Sequence, residues 1–308
     1  MKYLFTKNYG IKIIRYSILI ICVFLFSSCC TVEECKCDEP KNEEIDYTQY
    51  FIAHAGGTID GLFYTNSLEA LNLSYEKGCK LFELDLTYTS DRKIVAVHYW
   101  EYYKTITGYS GKIDNTPLTE EEFLSYKIHG EYTPLNMDAI NIWFKNHPDA
   151  TLVTDKINEP QKIYNDFQFR DRVIMELFSW DAVDKAIELG IKPLASYFLF
   201  FETPNFEKVF EEKKIEFICM PRSEIAGNED LFRRLKAKGI KNYVFGLESP
   251  INGQPSEQYV WNYEMNFCYG MYANDLDLLT TLMNGQSLKK REPFVFNKSN
   301  IKDFDRMK

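Results

Sequence analysis

The sequence predicts an alternating α/β fold built on eight parallel strands, with one hairpin arm early in the chain. Two observations carry that expectation. From Thr151 onward, apolar runs begin near residues 151, 172, 193, 216, 241 and 267, with helix-like segments between them. A repeat of roughly 20 to 25 residues is the length of one strand and helix unit. Three more strand candidates lie ahead of these, near 51, 81 and 94, which makes nine. The gap from Asp85 to Ile94 is shorter than the dozen or so residues that a parallel crossover requires. Leu86 to Val97 is therefore expected to double back around Thr89-Ser90-Asp91, which leaves eight parallel strands.

Each element has its own local warrant. Phe51 to Ala53 is a short apolar run that ends on His54 and opens into Gly56-Gly57, a turn where backbone can approach a ligand closely. Asn66 or Ser67 caps a helix through Ser74, with Leu68, Leu71 and Tyr75 on one face and Gly78 at its stop. On the next strand Glu83 and Asp85 alternate with Phe82, Leu84 and Leu86. Residues two apart on a strand share a face, so both carboxylates point the same way and can hold one cation. Buried among Leu and Phe without a partner they would be costly, and a metal removes that cost. Ile94 to Val97 again ends on a histidine, His98.

Farther on, Glu101 to Pro117 is rich in Tyr, Thr and Gly without a clear period, and reads as a loop over the strand ends, a lid or substrate wall. Thr119 and Glu122 have capping-box spacing. A helix from Asn136 to Asn146 turns Ile140, Trp143 and Phe144 inward, and His147 at its end has a structural role beside the helix dipole. His129 stands in a polar stretch with no nameable partner. Ser179, Thr203-Pro204 and Asn228 open later helices, with Gly190 and Gly239 closing the first and last of these. Cys79, Cys219 and Cys268 read as small core residues, and no cysteine spacing suggests a disulfide framework or zinc.

His54-Ala55-Gly56-Gly57, Tyr64-Thr65-Asn66-Ser67, Glu83-Leu84-Asp85 and Val97-His98 follow one another in a familiar order and spacing. The segment resembles the glycerophosphodiester phosphodiesterases, within the phosphatidylinositol phospholipase C-like barrels, whose pattern is His-Arg-Gly, Pro-Glu-Asn-Thr, Glu-x-Asp and a strand ending in His-Asp. The resemblance implies an α/β fold closed as a (β/α)8 TIM barrel, with the hairpin arm after the second strand. It implies metal-dependent phosphodiester hydrolysis with His54 and His98 as general acid and base. It also implies that Glu83 and Asp85 hold one divalent cation with a third carboxylate from a later strand. Thr151 to Ile157 is similar to that strand and nominates Asp155. All-oxygen ligation favours Mg2+ or Ca2+.

The chain also departs from the pattern. Ala55 stands in place of a phosphate-binding arginine, Thr65 in place of a glutamate, and Tyr99 in place of the aspartate after the second histidine. Lys156 directly follows Asp155, whereas the family places its lysine two residues beyond the acid. Beyond Asp155 the resemblance is one of architecture. Because such barrels carry their sites on strand C-termini, Lys156, Asn66, Glu176 and Arg222 are candidate substrate-binding groups, with Asn274 near the end of the last strand. Arg222 either supplies the positive charge that Ala55 lacks or is an ordinary surface residue after Pro221.

The ends of the chain carry different signals. Lys2, Lys7, Lys12 and Arg15 precede an apolar run from Ser17 to Phe26 that ends at Ser27-Ser28-Cys29. That pattern is a secretory signal over residues 1–28, its apolar run too short for the roughly 20 residues of a membrane span. Leu25 to Cys29 resembles the bacterial lipoprotein box, implying a lipid on Cys29, a tether over residues 29–49, and the barrel from residue 50 to 308. Cys35 and Cys37 lie in that tether, and Lys289, Lys290 and Arg291 form a basic tail. The expected location is outside the cytoplasm, as a membrane-anchored lipoprotein in the periplasm or at the cell surface.

Loss of residues 1–28 removes four positive charges and no negative ones, taking the net charge from −9 to −13. A body that acidic is a poor partner for nucleic acid. The substrate alcohol stays open among glycerol, a lipid headgroup and a surface polymer. Two rival readings fit the same residues. One is a noncatalytic ligand-binding lipoprotein, favoured by Ala55 and Thr65 and opposed by the two histidines and three acids. The other is a metal-dependent barrel hydrolase or lyase acting on a nonphosphate substrate.

Overall fold

The computed structural model describes residues 45–285. The signal segment, the lipoprotein box at Cys29, the tether up to residue 44 and the tail with Lys289, Lys290 and Arg291 lie outside the described residues. Eight parallel strands close on themselves: β1 (Phe51–Ala53), β2 (Leu81–Tyr88), β4 (Thr151–Asp155), β5 (Val173–Leu177), β6 (Lys192–Ala195), β7 (Phe217–Pro221), β8 (Lys241–Phe245) and β9 (Gly270–Ala273). Closure follows from β1, which pairs with β2 on one side and β9 on the other. The short strand β3 (Ile94–Ala96) lies antiparallel on the end of β2, with Leu86 opposite Ala96. This is the (β/α)8 barrel and the hairpin arm that the sequence predicts.

The helices form where the capping chemistry places them. Ser67 caps Leu68–Glu76 by accepting from the Ala70 amide, and Asn136 caps Met137–Asn146 by accepting from the Ala139 amide. Ser179 does the same for Trp180–Glu188, which buries Ala182, Val183 and Ala186 against the sheet. Thr119 and Glu122 make the reciprocal capping box. Strand alternation then creates two cores. Phe51, Phe82, Leu84 and Met175 pack outward beneath the helices, while Ile52, Val153, Ile174, Leu194, Phe217 and Tyr243 fill the barrel interior. Cys79, Cys219 and Cys268 are all free and buried, as core residues should be. No helix among the described residues is long and apolar enough to cross a membrane.

One expectation fails. Glu101 to Pro117 is not loop throughout, because Trp100–Ile106 is an α-helix. Its Tyr and Thr content gives it weak intrinsic propensity, but Trp100 and Tyr103, one turn apart, enter a separate apolar cluster with Val97, Leu118, Phe123 and Ile128. Tertiary packing therefore outweighs propensity. Lys104 of the same helix is buried against Asp114 at 2.8 Å. The insert also grips the loop after β1, through Tyr132 Oη to Asp60 at 2.6 Å and Tyr102 Oη to the Phe63 carbonyl at 3.2 Å. A second helix unread in the sequence, Tyr197–Glu202, follows β6.

Candidate active site

Strand register assembles the acid cluster. β2 and β4 pair with Asp85 opposite Asp155, and Glu83 sits two residues back on the same face of β2. One carboxylate oxygen from each of Glu83, Asp85 and Asp155 can be chosen so that all lie within 4.8 Å of one another. Glu83 and Asp85 are fully buried. Burial, then the charges of Asp85 and Asp155, push the Glu83 carboxyl well above the ordinary carboxylate range. Burial and the charge of Asp85 raise Asp155 to about 6. Burial would raise Asp85 too, but its hydrogen bond and attraction to His98, with help from Lys156 and Asn66, hold it below the ordinary range.

These three acids pass a test for a metal site. Glu83 Oε1 is buried with no hydrogen-bond partner among the described residues, although Oε2 accepts from the Ala55 amide at 2.7 Å. A buried, unpartnered oxygen in a set of three converging carboxylates is the donor arrangement that a hard divalent cation satisfies.

Both histidines are tied at Nδ1. The hairpin brings the chain back so that the Val97 amide bonds the Asp85 carbonyl at 2.8 Å, and His98 Nδ1 lies 2.9 Å from Asp85 Oδ1. His54 leaves the end of β1 and places Nδ1 3.0 Å from Asn274 Oδ1, just past β9. Since both partner oxygens are acceptors, each Nδ1 donates, which puts the basic lone pair of a neutral ring on Nε2. Burial lowers the pKa of His54, against the opposing pull of Asp85 and Glu248, and so favours its neutral form.

The remaining candidates have varied fates. Asn66, also buried, uses both ends of its amide on Asp85: Nδ2 donates to Oδ2 at 2.9 Å, and Oδ1 accepts from the Asp85 amide at 3.0 Å. It fixes the rotamer of a metal-ligand candidate. Lys156 adopts a left-handed φ of 67°, which turns its side chain back over the site, with Nζ 3.6 Å from Asp85 Oδ1 and 4.5 Å from the centre of the Tyr99 ring. The spacing departure seen in the sequence is thus absorbed by the backbone. Glu176 alternates with the interior Ile174 and is buried; burial and the charge of Asp155 raise it to about 8. Arg222 makes a bidentate pair with the buried Glu264, at 2.8 and 2.5 Å, and lies over the ring of Tyr259. Its guanidinium is engaged there and has no recorded bond to the acid cluster among the described residues.

Sequence reasoning missed three groups. Tyr64 touches both imidazoles, Glu248 accepts from its hydroxyl at 2.8 Å, and Glu257 accepts from the Asn274 and Asp275 amides at 3.0 and 3.2 Å. All three stand outside the strands, where no periodicity marks them. Backbone strain also gathers here. Ala55, Tyr64, Asn66 and Lys156 all have positive φ, a conformation costing on the order of 1–2 kcal/mol for a residue with a side chain. Gly57 does so without cost, and a Cβ there would collide with Ser74 Oγ.

The chain is similar to known proteins in sequence and in fold. Residues 54–271 match the family model of the glycerophosphoryl diester phosphodiesterase family. No curated protein matches the chain. Among solved structures, a glycerophosphodiester phosphodiesterase from Thermotoga maritima is 21% identical, with a TM-score of 0.56 over 76% of this chain and 97% of its own. A glycerophosphoryl diester phosphodiesterase from Parabacteroides distasonis is 15% identical, with a TM-score of 0.60 over 78% and 88%. A phosphodiesterase from Oleispira antarctica, solved with the product sn-glycerol-3-phosphate, is 15% identical, with a TM-score of 0.54 over 76% and 96%. At these identities the solved structures speak to the fold.

Proposed function

The chain belongs to the glycerophosphoryl diester phosphodiesterase family, and from that premise we propose that it hydrolyses phosphodiesters by two-histidine catalysis that depends on one divalent cation. As a family member it is a phosphoric diester hydrolase, and the product bound to the Oleispira antarctica relative makes a glycerophosphodiester the first substrate to try. The observation that carries the reading is the convergence of Glu83, Asp85 and Asp155 beside two imidazoles whose Nδ1 atoms are already committed.

Glu83, Asp85 and Asp155 would hold Mg2+ or Ca2+. When bound, such an ion offsets negative charge on the phosphoryl oxygens. The protein's own groups do the rest. One Nε2 of the pair His54 and His98 takes the proton of the attacking water or hydroxyl, and the other protonates the departing alcohol. Asn274 and Asp85 keep the two rings in the tautomer that makes this work, as partners of a catalytic imidazole do. Lys156 is the cation beside the acids, and it takes over phosphate recognition from the arginine that Ala55 replaces. Asn66 serves by orienting Asp85, and Glu176 lines the barrel interior as a candidate for the alcohol.

The test is release of alcohol from glycerophosphodiesters and from bis(p-nitrophenyl) phosphate, with and without chelator, by the wild-type protein and by His54→Ala and Glu83→Ala. Turnover that needs metal and disappears in both variants supports the proposal. Turnover that survives chelation and the Glu83 change sinks it. The leader and Cys29 carry a separate proposal, that the enzyme is exported and held at a membrane by lipid, where headgroups and surface polymers join the candidate substrates. Cys29→Ala should then move the protein from the membrane fraction to the soluble one; an unchanged membrane fraction contradicts it.

A further inference from the structure

Tyr64 stands where the family resemblance has proline, and it occupies a backbone conformation that proline cannot reach. Proline locks φ near −65°, whereas Tyr64 has a φ of 55°. The loop after β1 is therefore built differently here, and the difference delivers an aromatic ring to the two histidines. The phenol ring lies edge-on to His54, with centroids 4.8 Å apart and planes at 79°, and stacks on His98 at 4.3 Å and 29°. Its hydroxyl donates to Glu248 Oε1 at 2.8 Å, in the segment that follows β8.

A hydrogen bond at Nδ1 fixes one point of an imidazole and leaves the ring free to tilt about it. His98 has Tyr99 as a second neighbour and His54 has Tyr272, but Tyr64 is the ring in contact with both. One rigid body touching both imidazoles sets their planes relative to each other. The Glu248 bond, which spans from the β1 loop to the β8 loop, holds that body in place. We propose that Tyr64, anchored by Glu248, is the positioning residue that aligns His54 and His98 for the reaction. The role rests on the reading of those two histidines as the acid and base pair.

The chain has four histidines, so the imidazole Cε1–H signals can be followed one by one in a proton NMR spectrum. Tyr64→Leu removes the ring current. The His54 and His98 signals are expected to move while those of His129 and His147 stay in place. In the same variant kcat falls about 10- to 100-fold with KM changed by less than about threefold, the signature of lost alignment. Tyr64→Phe keeps the ring but loses the Glu248 bond, so the two signals and kcat should fall between those of wild type and Tyr64→Leu, with Glu248→Ala behaving alike. Unmoved His54 and His98 signals in Tyr64→Leu, or moved signals with an unchanged kcat, overturn the proposal. Should the wild-type protein itself turn over no phosphodiester while the two signals still move, the acid and base reading falls, taking the catalytic role with it and leaving the ring contact as a structural one.

Discussion

The early strands and the late strands furnish opposite sides of one barrel mouth, and they do so by different means. On the early side, Glu83, Asp85 and Asp155 come from β2 and its direct neighbour β4, and His98 returns on a hairpin from β2 itself. Local pairing register places every one of these groups. On the late side, Asn274 reaches His54 across 220 residues of sequence, and Arg222 pairs with Glu264 across 42. The first of these contacts exists only once β1 has paired with β9. The early side thus concentrates buried carboxylates, and the late side holds polar groups paired across longer connections.

That contrast can be broken by substitution, beginning where the largest effect is expected. His98→Ala on the early side should chiefly lower kcat, by about 10²- to 10⁴-fold, with a smaller loss of thermal stability because Asp85 loses this partner while keeping Asn66 and Lys156. A stable variant with near wild-type kcat would remove His98 from the reaction. Arg222→Ala on the late side should do the reverse, leaving kcat near wild type but costing about 3–5 kcal/mol in a denaturant titration, because Glu264 would remain as a buried unpaired charge. A large rise in KM without loss of stability would instead return Arg222 to phosphate binding.

Asn274→Ala tests whether the late side reaches into the chemistry. It releases His54 Nδ1 and should lower kcat about 10- to 100-fold, as loss of an orienting partner does elsewhere, with affinity for the divalent ion unchanged. The last prediction concerns pH. Glu176 stays protonated in the folded protein up to about 8, whereas the unfolded chain releases that proton in the ordinary carboxylate range. Between those limits the folded state binds the extra proton, so stability declines as pH rises, by at most about 1.4 kcal/mol per unit from this group. Glu176→Gln should flatten that decline in metal-free melts between about pH 5 and pH 8. Parallel declines in both proteins would assign the buried proton elsewhere.

The same contrast explains what could be read from the sequence. Eight parallel strands and the hairpin are legible because apolar runs and one short gap are local signals, and Glu83 and Asp85 because they alternate on one strand; Asp155 is legible through the family resemblance of its segment. Lys156 was harder. Its spacing departs from the family pattern, and only the left-handed backbone at that residue shows how the side chain returns to Asp85. Tyr64, Glu248 and Glu257 lie in connecting segments, where position is set by closure and by neighbouring loops. The helix Trp100–Ile106 was hidden for a related reason, since it owes its formation to the cluster around Phe123 more than to its own composition. Arg222 has two readings in the sequence, and a buried carboxylate 42 residues away accepts from its Nε and Nη2.

Three register-matched carboxylates, Glu83, Asp85 and Asp155, are proposed to hold one divalent ion on which phosphodiester hydrolysis depends. This is tested most directly by titrating Mg2+, and separately Ca2+, into chelator-stripped protein while following both heat of binding and hydrolysis of a glycerophosphodiester, with Asp155→Asn alongside. One ion should bind per chain, hydrolysis should rise in step with occupancy, and both should be lost in the variant. Full hydrolysis by the stripped protein, or ion-dependent hydrolysis that Asp155→Asn leaves intact, would contradict it.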